Sequence, residues 1–477
     1  MSGYSWGRRC PVEKRSLALF LASLLLSGCY SYEAYPQDRM EIFERLQKSG
    51  LPAELMLTQL PIGMVSKSHD PAVTWTSAQA ASWAVSHNPE LHALRKEMGI
   101  AEAELVEAGR LPDPELSWDA MNVVAADVTG VTPTGPDYIS GLGLMWRVPR
   151  PGEIGSKVGM AEARKEELRQ RILEGEWTLV RAVHRAWIDV LGAEARLQLN
   201  GQVLETAKKI AEFFQQARKV SGATALQANL AAIEHATLVQ ERVRLQGELR
   251  LARQNLNLVL GLRPEVKVPM HVEKNPFVSD NATRDAQILT QEALKHRPDL
   301  NALFARYQSL EEALRLEVAK QWPELAIGTG LALVLPIFSS FNAPAIRTAI
   351  ARRDRMARQL EAAVHRLRAE VHAAVTEYEN ERRQVEAFQK GLIPRIQENL
   401  RLTQVAFEAR EVTLVEILTA QRQSLDTQKN YLEARIRKAV ARLMMDTATG
   451  DVLLEEEDSR EPRGRVKDAK ETKEEGR

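Results

Sequence analysis

The stretch His87-Asn88-Pro89-Glu90-Leu91-His92-Ala93-Leu94 returns 209 residues later as His296-Arg297-Pro298-Asp299-Leu300-Asn301-Ala302-Leu303. The same spacing carries Pro114-Glu115-Leu116 onto Pro323-Glu324-Leu325. Self-similarity over this length indicates a duplicated architecture, with the elements of the second copy in the order of the first. Further along, Val148-Pro149 returns as Leu335-Pro336 after only 187 residues, so the second copy is shorter between its two prolines.

Each copy is predicted to contain a helix, a strand region, a long helix, a turn and a returning helix. The predicted helices are 76–110, 154–219 and 225–260 in the first copy, and 286–320, 345–410 and 413–447 in the second. Pro89 is expected to start or break its helix, and Pro394 to kink the second long helix. At 1.5 Å per residue each long helix extends about 100 Å. The two shorter helices of a copy together match that length, which predicts a helical ribbon.

The apolar residues of the long helices follow the spacing of a coiled coil. In the second copy they step by four and three residues through Leu360, Val364, Leu367, Val371, Ala374 and Tyr378. This is the spacing of the core positions of a heptad repeat, so the ribbons are predicted to pack as coiled coils.

The segments between the helices alternate apolar and polar residues, which is typical of membrane β-strands with one face toward lipid. The apolar positions are Leu116, Trp118, Ala120, Tyr138, Leu142, Leu144, Trp146 and Val148 in the first copy, and Leu325, Ile327, Leu331, Leu333 and Leu335 in the second. Only 12 residues lie between Pro323 and Pro336, which leaves about five for each strand. A membrane strand needs about 9–11 residues, so the second hairpin is predicted to be short.

The N-terminus has the features of an export signal. A basic segment around Arg8 and Arg9 precedes a short apolar run that ends in Leu26-Ser27-Gly28-Cys29. This ending resembles the lipobox of bacterial lipoproteins, which implies that Cys29 becomes the first mature residue and carries acyl chains. Tyr30, where an aspartate often means inner-membrane retention, favours the outer membrane. An ordinary signal peptide with a chance cysteine is the alternative.

Composition excludes several classes of protein. The 477 residues carry 64 basic and 64 acidic side chains, and this zero net charge argues against a nucleic-acid binder. Two cysteines, Cys10 and Cys29, cannot build a disulfide scaffold or a four-cysteine zinc site. No metalloprotease, phosphate-loop or nucleophile-elbow motif is present, so we expect neither an enzyme nor a resident cofactor. His87 and His296 leave a metal site open, although polar residues near a helix start are the simpler interpretation.

Taken together, the doubled order of motifs resembles the TolC-like outer-membrane efflux family. The motifs are the lipobox, Asn88-Pro89-Glu90-Leu91 and Arg297-Pro298-Asp299-Leu300, Pro112-Asp113-Pro114, Val148-Pro149-Arg150-Pro151-Gly152, Leu335-Pro336-Ile337-Phe338, and Ser221-Gly222-Ala223-Thr224. The resemblance implies a mainly α fold with a small membrane β part. It implies a homotrimer with a joint β-barrel in the outer membrane and a periplasmic α-barrel tunnel. It also implies a periplasmic adaptor protein and an inner-membrane pump as partners. Pro112 to Leu116 and Pro151-Gly152 look most like the branch that exports metal ions.

The resulting organisation has six parts. They are a signal peptide (1–28), a tether (29–75), a first repeat (76–264, hairpin 115–148), a linker (265–284), a second repeat (285–449, hairpin 324–335) and a charged disordered tail (450–477). A lipid-anchored structural coiled coil without conduction is the alternative function, and the short second hairpin keeps it open.

Two kinds of site follow from this organisation. Cys29 is the predicted lipidation site. The two turns farthest from the strands are the predicted docking tips for the adaptor, namely Val220, Ser221, Gly222, Ala223 and Thr224 in the first repeat and Arg410, Glu411, Val412 and Thr413 in the second. Glycine at 222 against glutamate at 411 predicts tips of different shape and charge. Tight turns without a binding role are the alternative.

Overall fold

The computed structural model describes residues 32, 34–35, 37–48, 74–118, 142–220, 222–270, 285–328, 331–337, 340–409 and 411–450. The chain divides into two compact units, Met1–Pro52 and Ala53–Arg477. In the first unit, helix α1 spans Arg39–Lys48. The two repeats, described below, belong to the second unit.

The first repeat has its elements in the predicted order. They are α2 (Ser77–His87), α3 (Pro89–Ala108), β1 (Glu115–Trp118), β2 (Leu142–Val148), α4 (Glu153–Lys219) and α5 (Ala225–Leu260). The break at Pro89 is a new helix start, because the Asn88 side-chain oxygen accepts the N–H groups of Glu90 (2.9 Å) and Leu91 (3.2 Å). Asn88 is thus the N-cap of α3, and proline occupies the first helical position, where no donor is needed.

The second repeat follows the same order. It contains α6 (Ala286–His296), α7 (Pro298–Ala319), β3 (Glu324–Gly328), β4 (Leu331–Val334), α8 (Ala343–Ala387), α9 (Ile393–Glu408), α10 (Leu414–Asp446) and a 3₁₀ turn (Thr447–Thr449). The kink predicted at Pro394 takes the form of a π-helical turn, Phe388–Leu392, between α8 and α9. Since proline has no N–H to donate to the preceding turn, a wider turn just before it lets the helix continue.

The four strands form one antiparallel sheet in the order β1-β2-β3-β4, so the hairpins of both repeats are joined. Trp146 pairs with Ile327, which pairs in turn with Leu331. This register collects the predicted apolar residues on one face, namely Leu116, Leu144, Trp146, Val148, Leu325, Ile327, Leu331 and Leu333. The opposite face carries Glu115, Arg147 and Glu324, together with Met145, Val334 and small residues.

The second hairpin is short, as expected, with five residues in β3 and four in β4. The part of the first hairpin from Asp119 to Gly141, including the predicted apolar residues Ala120 and Tyr138, lies outside the described residues. None of the described helices combines the length and apolarity that a membrane crossing requires.

Among the described residues, helix α4 packs against five other helices, namely α2, α3, α5, α7 and α10. Its apolar stripe Val180, Val183, Trp187 and Val190 is buried. In the second repeat the heptad residues Leu367, Val371 and Tyr378 of α8 are buried in a cluster with residues of α6, α7 and α10. The coiled-coil pattern read from the sequence therefore forms the core.

The repeats are also joined by a pair of charges. Arg196 of α4 donates from Nε (2.5 Å) and from a terminal nitrogen (2.8 Å) to the two carboxylate oxygens of Glu433 on α10. Close by, the Ile436 side chain fills the space beside Gly192, where a Cβ atom would lie 3.0 Å from it. This close contact fixes α10 against α4.

Candidate functional site: the helix-turn tips

The first tip is the turn between α4 and α5. The Gly222 N–H donates to the Ala217 carbonyl at 2.7 Å, which closes the end of α4. Thr224 then caps α5, because its hydroxyl accepts the Gln227 N–H (3.2 Å) while the Gln227 side chain accepts the Thr224 N–H (2.9 Å). Such a reciprocal capping box satisfies two donors at a helix start.

The second tip repeats this geometry 189 residues later. The Glu411 N–H donates to the Ala406 carbonyl at 2.8 Å. Thr413 caps α10, with its hydroxyl accepting the Glu416 N–H (3.4 Å) and the Glu416 carboxylate accepting the Thr413 N–H (2.6 Å). Both threonines are therefore N-caps, as their position after a turn suggested. The predicted tip residues Ser221 and Arg410 lie outside the described residues.

The two tips share the same backbone hydrogen bonds but differ in charge. Gly222 has no left-handed φ, and its N–H makes the same bond as that of Glu411, so the turn does not depend on the freedom of glycine. The cap partner is neutral in the first tip (Gln227) and acidic in the second (Glu416). The backbone and side-chain hydrogen bonds from Thr413 lower the pKa of the Glu416 carboxyl. The second tip thus carries two carboxylates, Glu411 and Glu416, where the first has none.

The structure packs the two tips against each other. Phe214 of α4 and Phe407 of α9 lie with ring centroids 6.2 Å apart. The buried residues around them are Ala228, Ala231, Leu414 and Ile417, with Ala223 partly buried at the edge. Because this core joins both repeats, the tips form a single end of the molecule.

Apolar side chains remain exposed around this end. Val220 is 80 % exposed, and the repeat-equivalent residues Leu226 and Val415, two residues after the caps, are 68 % and 58 % exposed. Val412 is half-buried. The tips therefore present apolar positions beside a charge difference, which suits contact with another protein chain. The Gln227–Glu416 difference was not predicted, although comparing the repeats by eye would reveal it.

The other predicted sites have different outcomes. Cys29 lies outside the described residues. The His87 ring stacks on the Trp83 ring, with centroids 3.7 Å apart. This packing gives His87 a structural role. Within the described residues, no three His, Cys, Asp or Glu side chains are grouped so as to hold a metal ion.

The end of the ribbon next to the sheet contains a buried carboxylate that the sequence did not single out. Glu153, 3 % exposed, accepts hydrogen bonds from Arg147 (3.2 Å), the Arg150 N–H (3.1 Å) and Lys157 (2.9 Å). Arg150 also binds Glu324 of β3 at 2.7 Å. Burial raises the pKa of the Glu153 carboxyl, but the Lys157 and Arg150 hydrogen bonds and the nearby positive charges lower it to about 2. This network connects β2, α4 and β3.

Comparison with known proteins identifies this architecture. No protein-family model matches the chain. The outer-membrane channel OprN superposes with a TM-score of 0.67, at 16 % identity, over 81 % of this chain and 91 % of OprN. CusC superposes with a TM-score of 0.64, at 16 % identity, over 89 % of this chain and 99 % of CusC. The chain has the TolC-like fold. The resemblance in fold expected from the doubled motifs is thereby confirmed.

A sequence relative extends the comparison. The cobalt-zinc-cadmium resistance protein CzcC of Cupriavidus metallidurans is 23 % identical over 373 residues, which are 75 % of this chain and 85 % of CzcC. The similarity thus covers most of both chains.

Proposed function

We propose that this chain is the outer-membrane channel component of a tripartite efflux system. It would pass substrate from an inner-membrane pump and a periplasmic adaptor to the exterior. The observation that carries the proposal is a sheet with one apolar face, built from both repeats, at one end of a helical ribbon of about 100 Å. That combination fits a membrane-embedded mouth on a long tunnel, and it is the fold of the channels compared above.

Assembly into a ring is supported by a second apolar stripe on α5. One side of α5 is buried, whereas Leu226, Ile233, Leu251 and Leu258 on the other side are 62–73 % exposed. In the second repeat, the position equivalent to Leu258 is Thr447, which is 1 % exposed and packed beside α4, where its carbonyl accepts the Trp177 indole N–H (3.1 Å). Within one chain, α4 of the first repeat packs against α10 of the second. A second copy would cover the exposed stripe in the same way, by packing its α8 against α5.

Such head-to-tail contact generates a closed ring when its rotation closes. We propose three copies, as the resemblance to the TolC-like family implies. Their sheets would then join into one barrel, and no single copy would need to close it. The tips of three copies would lie at the far, periplasmic end, where an adaptor would reach them.

The docking role of the tips rests on their exposed apolar residues and on the unequal charge of the two turns. Val220→Glu combined with Val415→Glu, at the exposed apolar residues of the two tips, should lower export while leaving the trimer intact. Glu398→Gln, on the exposed surface of α9, is the matched control. Normal export by the double variant would remove the docking role.

Divalent metal ions are the proposed cargo. The support is the name of the relative, CzcC, and the similarity of Pro112 to Leu116 and of Pro151-Gly152 to metal-exporting members of the family. Deleting the gene should raise cell-associated cobalt, zinc or cadmium, measured by mass spectrometry of washed cells, and the wild-type gene should restore the level. If the metal content is unchanged and the deletion strain is sensitive to organic toxicants, the exported substrate is an organic compound and not a metal ion.

Anchoring through Cys29 is proposed from the lipobox sequence. Acyl labelling should be present in the wild type and absent in Cys29→Ser. An unmodified Cys29 in the mature protein, read by mass spectrometry, would remove the anchor from the proposal.

The short strands β3 and β4 favour one alternative, a lipid-anchored structural coiled coil without conduction. Single-channel recording of the purified protein in planar bilayers separates the two. Discrete conductance steps support the channel, and a trimer that inserts without conductance supports the structural protein.

A further inference from the structure

A cluster of exposed apolar side chains surrounds Pro336, where the second hairpin meets the long helix α8. It consists of Trp322, Leu335, Ile337 and Phe341, which are 48–59 % exposed and are called the Pro336 patch below. Trp322 lies two residues before β3 and Leu335 directly follows β4, and the last strand pair is Glu324–Val334, so both stand at the same end of the hairpin. The Phe341 N–H donates to the Pro336 carbonyl at 3.0 Å, which brings Phe341 to the same place. Four large apolar side chains therefore form one surface.

The backbone holds Phe341 in this position at some conformational cost. Ser340, Phe341 and Asn342 have φ of 50°, 54° and 61°, a left-handed conformation that side chains other than glycine rarely adopt. The corresponding turn of the first repeat uses Gly152, with φ of 80°. The Asn342 side chain fixes the second turn by donating to the backbone carbonyl (2.8 Å) and the carboxylate (2.8 Å) of Glu317. A strained turn that exposes an aromatic ring suggests a use for that ring.

The patch continues the apolar face of the sheet and borders a basic surface. Leu331 and Leu333 of β4, exposed on the apolar face, lead directly to Leu335. On the other side, the first turns of α8 carry Arg347, Arg352, Arg353, Arg355 and Arg358 and one acidic residue, Asp354, while Glu311 of α7 lies 3.8 Å from Arg353. Arg347, Arg352 and Arg355 are exposed. An apolar edge followed by exposed arginines matches the order of acyl chains and anionic headgroups at a membrane surface.

We propose that the Pro336 patch binds the periplasmic surface of the outer membrane, inserting among anionic phospholipids while the arginines of α8 meet their headgroups. This inference rests on the proposed function, in which the sheet lies in that membrane. It gives the short second hairpin an additional anchor, because β3 and β4 supply fewer residues than a full membrane strand. Tryptophan and other aromatic residues are favoured at this boundary, where one side of the ring is apolar and the other is wet.

The test places an environment-sensitive fluorophore at Phe341→Cys in the full chain, with Cys10 and Cys29 replaced by serine. The protein is reconstituted in vesicles of phosphatidylcholine with or without phosphatidylglycerol. We expect a blue-shifted emission and quenching by lipids with a shallow spin label, about twofold or more above that of a control label. The control is Phe213→Cys, at the distant tip, which is 58 % exposed against 54 % for Phe341.

Three comparisons make the outcome decisive. Arg347→Gln with Arg352→Gln should reduce the quenching at position 341 in phosphatidylglycerol vesicles and have little effect in pure phosphatidylcholine. A label at 341 that is shielded but not quenched by lipid would show a second copy covering the patch, and would overturn the proposal. A label at Leu331→Cys reports the sheet itself. Quenching at 331 with none at 341 rejects the patch alone, while no quenching at either position rejects the membrane location of the sheet.

Discussion

Gly261 and Gly450 occupy equivalent positions in the two repeats. Each follows a returning helix and packs against the helix start at Pro89 or Pro298 in its own repeat. Both have left-handed backbones, with φ of 73° and 89°. A Cβ atom on Gly261 would lie 3.1 Å from Pro89 Cδ, and one on Gly450 would lie 2.8 Å from Arg297 Cα. In each repeat the His-x-Pro motif therefore packs against a glycine at the end of the returning helix. The two glycines are 189 residues apart.

Replacing either glycine with alanine is expected to destabilise the fold, by about 1–3 kcal/mol, because a side chain there is strained by its φ and contacts its neighbour. Gly450→Ala should be the more harmful, since the atom it meets is backbone. Gly201→Ala, in the middle of α4 with no atom near its added Cβ, is the control and should stabilise by about 0.5–1 kcal/mol. Thermal unfolding of the three variants checks the order. Equal melting temperatures for Gly450→Ala and Gly201→Ala would contradict it.

The Glu153 network predicts a specific acid sensitivity. The pKa of Glu153 falls from 4.5 to about 2 on folding, so its carboxylate stabilises the native state fully above pH 4.5. That contribution, about 3 kcal/mol, is lost as the pH falls toward 2 because the unfolded chain then binds the proton more readily. Glu153→Gln should therefore melt below wild type at pH 7, with the gap reduced by about half at pH 3. Glu398→Gln, an exposed ion-pair partner, should show no such gap, and a gap independent of pH would exclude the linkage.

The left-handed turn after β4 predicts opposite effects at neighbouring positions. Ser340→Gly relieves an unfavourable φ and should raise stability by about 1 kcal/mol. Asn342→Gly relieves the same strain but removes two hydrogen bonds to Glu317, so its net effect should be smaller or of opposite sign. Melting curves of the two variants under one set of conditions decide this. A higher melting temperature for Asn342→Gly than for Ser340→Gly would show that Asn342 does not hold the turn.

Some elements were predictable from the sequence and others were not, for identifiable reasons. Helix α5 was predicted with its observed bounds, and a threonine cap and a glycine mark its two ends in the structure. The helix start at Pro89 was predicted as a start or a break, whereas the start at Pro298 lies inside the helix predicted over 286–320. Arg297, however, makes no cap hydrogen bond and instead binds Glu370 (2.8 Å) and lies over the Trp177 ring (5.2 Å). Those partners are remote in sequence, and no local pattern reveals them.

Comparing the two repeats in sequence also does not reveal which helical residues are buried. Lys438 stands at the position equivalent to Leu249, and both are buried, with 7 % and 9 % exposure. Burial and the nearby cations Arg382, Arg442 and Arg435 lower the pKa of Lys438. A lysine in a helix reads as a surface residue from sequence, because its burial depends on which helices pack around it. The two turns proposed as docking tips could be located from the breaks between predicted helices, whereas the Gln227–Glu416 difference is visible only when the two repeats are compared.

The exposed stripe of α5 predicts that assembly can be broken without unfolding the chain. Leu251→Glu with Leu258→Glu should yield folded monomers in mild detergent, because the change adds charge to a surface that only a second copy covers. Val220→Glu, on an equally exposed apolar residue at the tip, should leave the trimer intact. Native mass spectrometry reads the mass of the assembly, and circular dichroism reports the helix content. A trimeric double variant would place the contact on another face.

The charge difference between the tips predicts that docking depends on the second tip. Glu416→Gln should keep the cap, because Gln227 makes the same two hydrogen bonds in the first tip. Combined with Glu411→Gln it removes both carboxylates without altering the turn. If basic groups of the adaptor meet these carboxylates, its affinity should fall by about tenfold and lose part of its salt dependence. The reciprocal variant, Gly222→Glu with Gln227→Glu, gives the first tip the same charges and tests whether position or charge matters. Unchanged adaptor binding by the neutral variant, at a normal trimer level, would leave the exposed apolar residues Val220 and Val415 as the basis of docking.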